Sequence, residues 1–153
     1  MIKIYDNFVT DDESNELIEY YNSNIHNEIY TKSKIYTFKS VGVSEQNYSK
    51  FEISKKIKLI QTQLIRIQLI NNSIKTNEYM HSHTSYWTYL VFLNDNFEGG
   101  ELVLEDKIIT PVKNQMIIFS GKLKHKVNNV VNGNRYTLIS FTDKTPSMLN
   151  TIL

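Results

Sequence analysis

The stretch "YMHSHTSYWTYLVFLN", residues 79–94, carries the reading of this chain. Its second half, from Trp87 to Leu93, is an apolar and aromatic run of strand length interrupted by Thr88. Its first half sets His81 and His83 two residues apart, so that in a strand both imidazoles project from one face. The chain has four histidines, and half of them sit here. Paired imidazoles are candidate metal ligands, and they suit iron, zinc, copper and nickel alike. The plainer alternative is a pair of polar residues at a strand start.

Working outward, short apolar runs recur as far as Phe141: "ELVLED", "KIITPV", "QMIIFS", "HKVNNVV" and "RYTLISF". Turn-forming stretches separate them, among them "NDNFEGG", "SGK" and "NGN". Upstream, "LIRIQLI" alternates Ile65, Ile67 and Leu69 against Arg66 and Gln68, which predicts a strand. "SEQNYSKFEISKKIKLIQ" places Ile53, Ile57 and Ile60 at helical spacing and predicts a helix over 45–62. "IYTKSKIYTFKSVGV" is β-branched and aromatic and predicts one or two edge strands. At the start, "IKIY" reads as a short strand. In "TDDESNELIEYY", Thr10 is the N-cap and Glu13 completes a capping box, with Leu17 and Tyr21 on one helical face. The tail "TDKTPSMLNTIL" has no periodicity. Helices ahead of many short strands predict an α+β, mainly β fold, with N-terminal helices buttressing a β-sandwich or barrel.

A chain of 153 residues is expected to form a single domain, 1–153, with a core of its own. The formal net charge is +1, and no basic stripe points to nucleic acid. There is no cysteine, which excludes disulfides and thiolate sites. No secretory signal or membrane-spanning run is seen, so a cytoplasmic location is expected. The oligomeric state is not legible.

His125, more than forty residues beyond the histidine pair, is the third candidate ligand. It opens another predicted strand, and a sandwich or barrel can bring two strand ends together. Arg135 follows ten residues later, and Thr137 shares its strand face. An arginine fork matches a carboxylate bidentately, and a neighbouring hydroxyl adds a hydrogen bond. A metal site and an inward Arg–Thr pair could together hold a dicarboxylate. Alone, Arg135 reads as a surface residue after an "NGN" turn.

Taken together, "TYLVFLNDNFEGGELVL", "ITPVKNQMIIFSGKLKHKV" and "NGNRYTLISF" resemble the Fe(II)- and 2-oxoglutarate-dependent oxygenases, in their prolyl 4-hydroxylase-like branch. The opening "IYDNFVTDDESNELIEYY" is also similar to that family's N-terminal strand and helix. The resemblance implies a double-stranded β-helix (a jelly-roll, cupin-like barrel), an Fe(II) centre at its open end, and 2-oxoglutarate as co-substrate. It implies that His81 and His125 are metal ligands. Arg135 would take the distal carboxylate of 2-oxoglutarate, with Thr137 assisting. Thr88, Leu90 and Phe92 would line the pocket, while Trp87 and Tyr89 point into a core on the other face. Gly99 and Gly100 would permit a tight turn, and His26 would lie outside the site.

The family pattern is H-x-D, and this chain has His83 where the aspartate stands. A third imidazole in the facial triad removes one negative charge from the metal. That raises the Fe(II)/Fe(III) potential and weakens the push toward oxygen activation. Glu78 and Glu101 are the carboxylates that could substitute. Three functions follow. One is a dioxygenase hydroxylating a peptide side chain or a small molecule. A second is a non-catalytic, three-histidine metal-binding barrel of cupin type, which leaves Arg135 and Thr137 unexplained. A third is an interaction protein that keeps the fold without activity.

Overall fold

Local signals set the N-terminal elements of the computed structural model, which describes residues 2–33, 37–56, 64–76, 80–82, 87–105 and 107–142. Ile2–Tyr5 form β1, and Thr10 caps α1 (Asp11–Ser23). Thr10 Oγ1 accepts from the Glu13 amide at 3.1 Å, and Glu13 Oε1 accepts from the Thr10 amide at 2.9 Å. That reciprocal pair is the capping box. Asp11, Asp12 and Glu13 fill the first turn, where the helix dipole favours anions. Leu17 and Tyr21 are fully buried on one face.

A 3₁₀ turn (Ile25–Asn27) leads into β2 (Ile29–Lys32) and β3 (Thr37–Gly42). Within its described part, residues 45–56, the single helix expected over 45–62 is replaced by α2 (Glu45–Tyr48) and a 3₁₀ turn (Glu52–Lys55). Phe51 between them is extended, at φ −87° and ψ 145°. It packs edge-on against Tyr20, with ring centroids 5.4 Å apart. The Ser49 and Ser54 hydroxyls donate to the carbonyls of Gln46 and Phe51, a local alternative to the helical ladder. Ile53 is still buried as the spacing predicts. Ile57 and Ile60 lie outside the described residues.

The strands that follow are β4 (Leu64–Asn71), β5 (Trp87–Phe92), β6 (Glu98–Gly99), β7 (Leu102–Leu104), β8 (Lys107–Ile109), β9 (Met116–Ser120), β10 (His125–Val127), β11 (Val130–Asn132) and β12 (Asn134–Thr142). The "NDNFEGG" turn therefore contains a short strand, and "HKVNNVV" divides into two. Gly99 and Gly100 adopt φ of +79° and +70°, open to glycine at little expense. Seven strands form one sheet in the order β1-β9-β5-β12-β4-β3-β2, β10-β7-β8 form a second, and β11-β6 pair separately. All of these pairings are antiparallel.

Period-two alternation gives the large sheet two buried faces. Ile65, Ile67, Val91, Ile118 and Leu138 pack beneath Leu17 and Tyr21 of α1. Trp87 and Tyr89 flank this same core. On the opposite face, Leu90, Phe92, Ile117, Phe119 and Ile139 pack against Leu102, Leu104 and Ile109 of the smaller sheet. Each such aliphatic burial contributes about 1.5–3 kcal/mol, enough to fix strand register. The fold is mainly β, with antiparallel sheets face to face and the helices on the outer side. Among the described residues, no helix is long and apolar enough to cross a membrane.

Candidate active site

The inner face of the large sheet opens into a cavity of about 250 Å³, and His81 and His125 both line it. The backbone joins them. The His81 amide donates to the His125 carbonyl at 2.9 Å, and the His125 amide returns the bond at 2.8 Å. β10 therefore holds His81 in place through an isolated antiparallel bridge. The two rings stand 4.3 Å apart at their centroids, tilted by 57°. Two imidazoles bound at ~2.0–2.1 Å to one metal at a right angle would have centroids roughly 4.5 Å apart, so the pair fits shared ligation. His125 Nδ1 lies 2.7 Å from the Leu123 carbonyl. A carbonyl only accepts, so Nδ1 carries the proton and Nε2 presents its lone pair. Phe119 packs edge-on against the His125 ring at 5.1 Å.

His83 and Glu78 lie outside the described residues. Among the described residues no third His, Cys, Asp or Glu joins the pair in a metal-binding group. Glu101 is engaged elsewhere, accepting from Asn128 Nδ2 at 3.2 Å. His26 is exposed in its 3₁₀ turn and does not line the cavity.

Arg135 is fully buried on the inner face of β12. Its Nε donates to the Gly100 carbonyl at 2.9 Å, and its guanidinium carbon sits 5.3 Å from the Phe92 ring centroid. Nη1 and Nη2 are buried with no hydrogen-bond partner among the described residues, and so is Thr137 Oγ1. Burial pulls the Arg135 pKa down to about 10, against the opposing pull of Glu101. A desolvated cation of this kind is expensive until an anion completes it. Neither Arg135 nor Thr137 lines the cavity. Thr88 and Leu90 do, whereas Phe92, expected in the same wall, is set back beneath Arg135.

Residues 71–143 match the family model of the 2OG-Fe(II) oxygenase superfamily. Over this segment, just under half of the chain, the sequence is similar to that superfamily. The matched segment contains His81, His83, His125, Arg135 and Thr137. Solved structures give the fold. A Pseudomonas putida prolyl-4-hydroxylase superposes with a TM-score of 0.69 at 14% identity, over 94% of this chain and 93% of that one. A Trichoplax adhaerens prolyl hydroxylase, solved with a hypoxia inducible factor oxygen degradation domain peptide, gives 0.72 at 16%, over 99% and 87%. HygX from Streptomyces hygroscopicus, solved with nickel and 2-oxoglutarate, gives 0.65 at 8%, over 92% and 81%. No curated protein sequence matches.

The cavity also has a polar wall. Arg66 and Gln68 of β4 both line it. With the Gln68 amide turned so that its oxygen faces the guanidinium, that oxygen accepts from Arg66 Nη2 at 3.0 Å and Nε at 3.1 Å. The Arg66 guanidinium carbon stands 4.3 Å from the Phe38 ring centroid and 5.6 Å from that of Phe141, within cation–π range. The signal in the sequence was Ile70. It ends the Arg66–Gln68 face with an apolar residue, which a solvent-facing row would not require.

Proposed function

We propose that this chain is an Fe(II)- and 2-oxoglutarate-dependent dioxygenase that hydroxylates a peptide side chain or a small molecule. The observation that carries the reading is Arg135, a fully buried guanidinium whose terminal nitrogens find no partner among the described residues. It lies in the matched segment, on the same inner face as the cavity holding the histidine pair. On this reading His81, His125 and His83 of the H-x-H hold the metal. Arg135 takes the distal carboxylate of 2-oxoglutarate, and Thr137 adds a hydroxyl. The two facing sheets are then the halves of a double-stranded β-helix, and residues 1–153 are one oxygenase-like domain working in the cytoplasm.

With O₂, bound Fe(II) and 2-oxoglutarate supply the chemistry that turns a C–H into C–OH while 2-oxoglutarate leaves as succinate and CO₂. The protein's residues do the positioning. The Leu123 carbonyl holds the His125 ring in one tautomer and orientation. Leu90, Phe119 and Ile139 give the cavity dry walls. The volume, about 250 Å³, falls just below the ~300–1,000 Å³ of sites for drug-sized ligands. It suits a compact molecule or one side chain of a peptide. The peptide held by the Trichoplax relative supports the second choice.

The alternative, a non-catalytic three-histidine metal-binding barrel, draws on one feature: Arg135 does not line the cavity. Succinate formation separates the two. The dioxygenase reading expects O₂-dependent conversion of 2-oxoglutarate to succinate with Fe(II), lost in His125→Ala. It expects the activity to persist or rise in His83→Asp, where the anionic ligand returns. A protein that binds Fe(II) yet yields no succinate in either the native or the His83→Asp form is the metal-binding barrel.

A further inference from the structure

Two arginines face inward from the large sheet, and their surroundings give them different tasks. Arg135 leans over Phe92, which pairs with Thr137. Arg66 leans over Phe38 and Phe141, and Phe141 pairs with Thr88. On β12 those two levels are four residues apart, roughly 13 Å along a strand, and the Arg66 backbone pairs with Ile139 between them, its side chain reaching the Phe141 ring. Thr88 also pairs with Phe119, the ring that packs on His125. The Phe141 level is therefore the histidine end of the cavity, where a reacting C–H must arrive. Arg135 stands at the other end, set back from the cavity wall.

The charges of the cavity wall point the same way. Arg66 and Lys126 line it with the two histidines, and no aspartate or glutamate does so among the described residues. Most of the remaining wall is aliphatic or aromatic. Gln68 grips two donors of the Arg66 fork and two rings flank it, so the guanidinium is ordered before any ligand enters. An ordered cation in an apolar wall favours a ligand with an apolar body and an anionic end.

We propose that Arg66 selects the primary substrate, and that this substrate carries a carboxylate that docks on Arg66 while its apolar part lies beside the histidine pair. The proposal rests on the reading that Arg135, and not Arg66, takes 2-oxoglutarate.

The test uses hexanoate and hexanamide as probes, matched in shape and differing in charge. Each is titrated by NMR into the full chain holding Zn(II) and saturating 2-oxoglutarate. The native protein is expected to bind hexanoate roughly ten-fold more tightly than hexanamide, the size of a charge-assisted hydrogen bond. Arg66→Gln is expected to bring that ratio close to one. Arg66→Lys, which keeps the charge without the fork, retains an intermediate ratio and guards against a folding artefact. Arg135→Gln is expected to keep the hexanoate preference while losing 2-oxoglutarate. A native protein that does not discriminate, or an Arg66→Gln protein that keeps the full preference, overturns the proposal. If Arg135→Gln still binds 2-oxoglutarate normally, the co-substrate assignment fails and the Arg66 result is judged on its own ratio.

Discussion

Arg135→Met is expected to make the ligand-free protein more stable while removing its co-substrate. Burial lowers the Arg135 pKa from the ordinary arginine range to about 10. At about 1.36 kcal/mol for each pKa unit, that fall is roughly 3 kcal/mol against the charged, folded state. Met fills similar length without charge, and such replacements of buried ions are commonly neutral or stabilising. The variant forfeits the Nε bond to the Gly100 carbonyl, worth about 1 kcal/mol. The net gain is then about 2 kcal/mol, or roughly 4–8 °C in melting temperature for a chain of this length. Arg135 has a depressed folded-state pKa, so its penalty is complete below about pH 10 and fades as pH rises past that value. The gap between variant and native protein should narrow accordingly. Calorimetry with and without 2-oxoglutarate is the assay. At about 100 times Kd the native protein should gain ~2.7 kcal/mol, and the variant none. A variant that melts below the native protein without ligand, and shifts equally with it, would refute the reasoning.

Other perturbations test the scaffold around the site. Gly100→Ala places a Cβ 2.8 Å from Arg135 Cδ and 3.0 Å from Phe97 Cε1, at a φ of +70°. It should lose more than the ~1–2 kcal/mol of left-handed backbone strain in urea unfolding and weaken 2-oxoglutarate binding through Arg135. Gly42→Ala, with nothing within 4 Å of its new Cβ, should stay within about 0.5 kcal/mol of native. Thr10→Ala removes the capping hydroxyl of α1 and should cost about 1 kcal/mol. At Glu13, burial works to raise the carboxyl pKa, but the Lys56 ammonium and the Thr10 bonds outweigh it and hold the pKa below the ordinary value. Its contribution is present above the unfolded pKa and lost as pH falls through the folded one, so Glu13→Gln should flatten the acid limb of the stability profile.

Much of the architecture was legible because it rests on patterns that burial alone enforces. The alternation in β4 and the apolar run in β5 read directly as strands, and Thr10 with Glu13 marked the start of α1. The second helix was misread because Ile53, Ile57 and Ile60 share helical spacing, which says nothing of Phe51. Its contact with Tyr20, distant in sequence, holds the chain extended there. The pairing of His81 with His125 was suggested by their places at predicted strand starts, and among the described residues it takes the form of an isolated bridge. Arg66 was hidden for a physical reason. Period-two alternation announces two faces but not which one meets a cavity, and the apolar face of β4 is occupied by the α1 side of the core. The set-back of Arg135 behind the cavity wall was equally out of reach, since it depends on the Gly100 carbonyl of another segment.

On the proposed function, one metal and 2-oxoglutarate bind together between the histidine pair and Arg135. The most direct measurement is an anaerobic Fe(II) titration of the purified protein with and without 2-oxoglutarate, followed by visible absorption. The expected result is a charge-transfer band that appears only when both are present, saturates at one Fe(II) per chain, and is lost in Arg135→Met. Iron that binds stoichiometrically and gives the same spectrum with or without 2-oxoglutarate would contradict it.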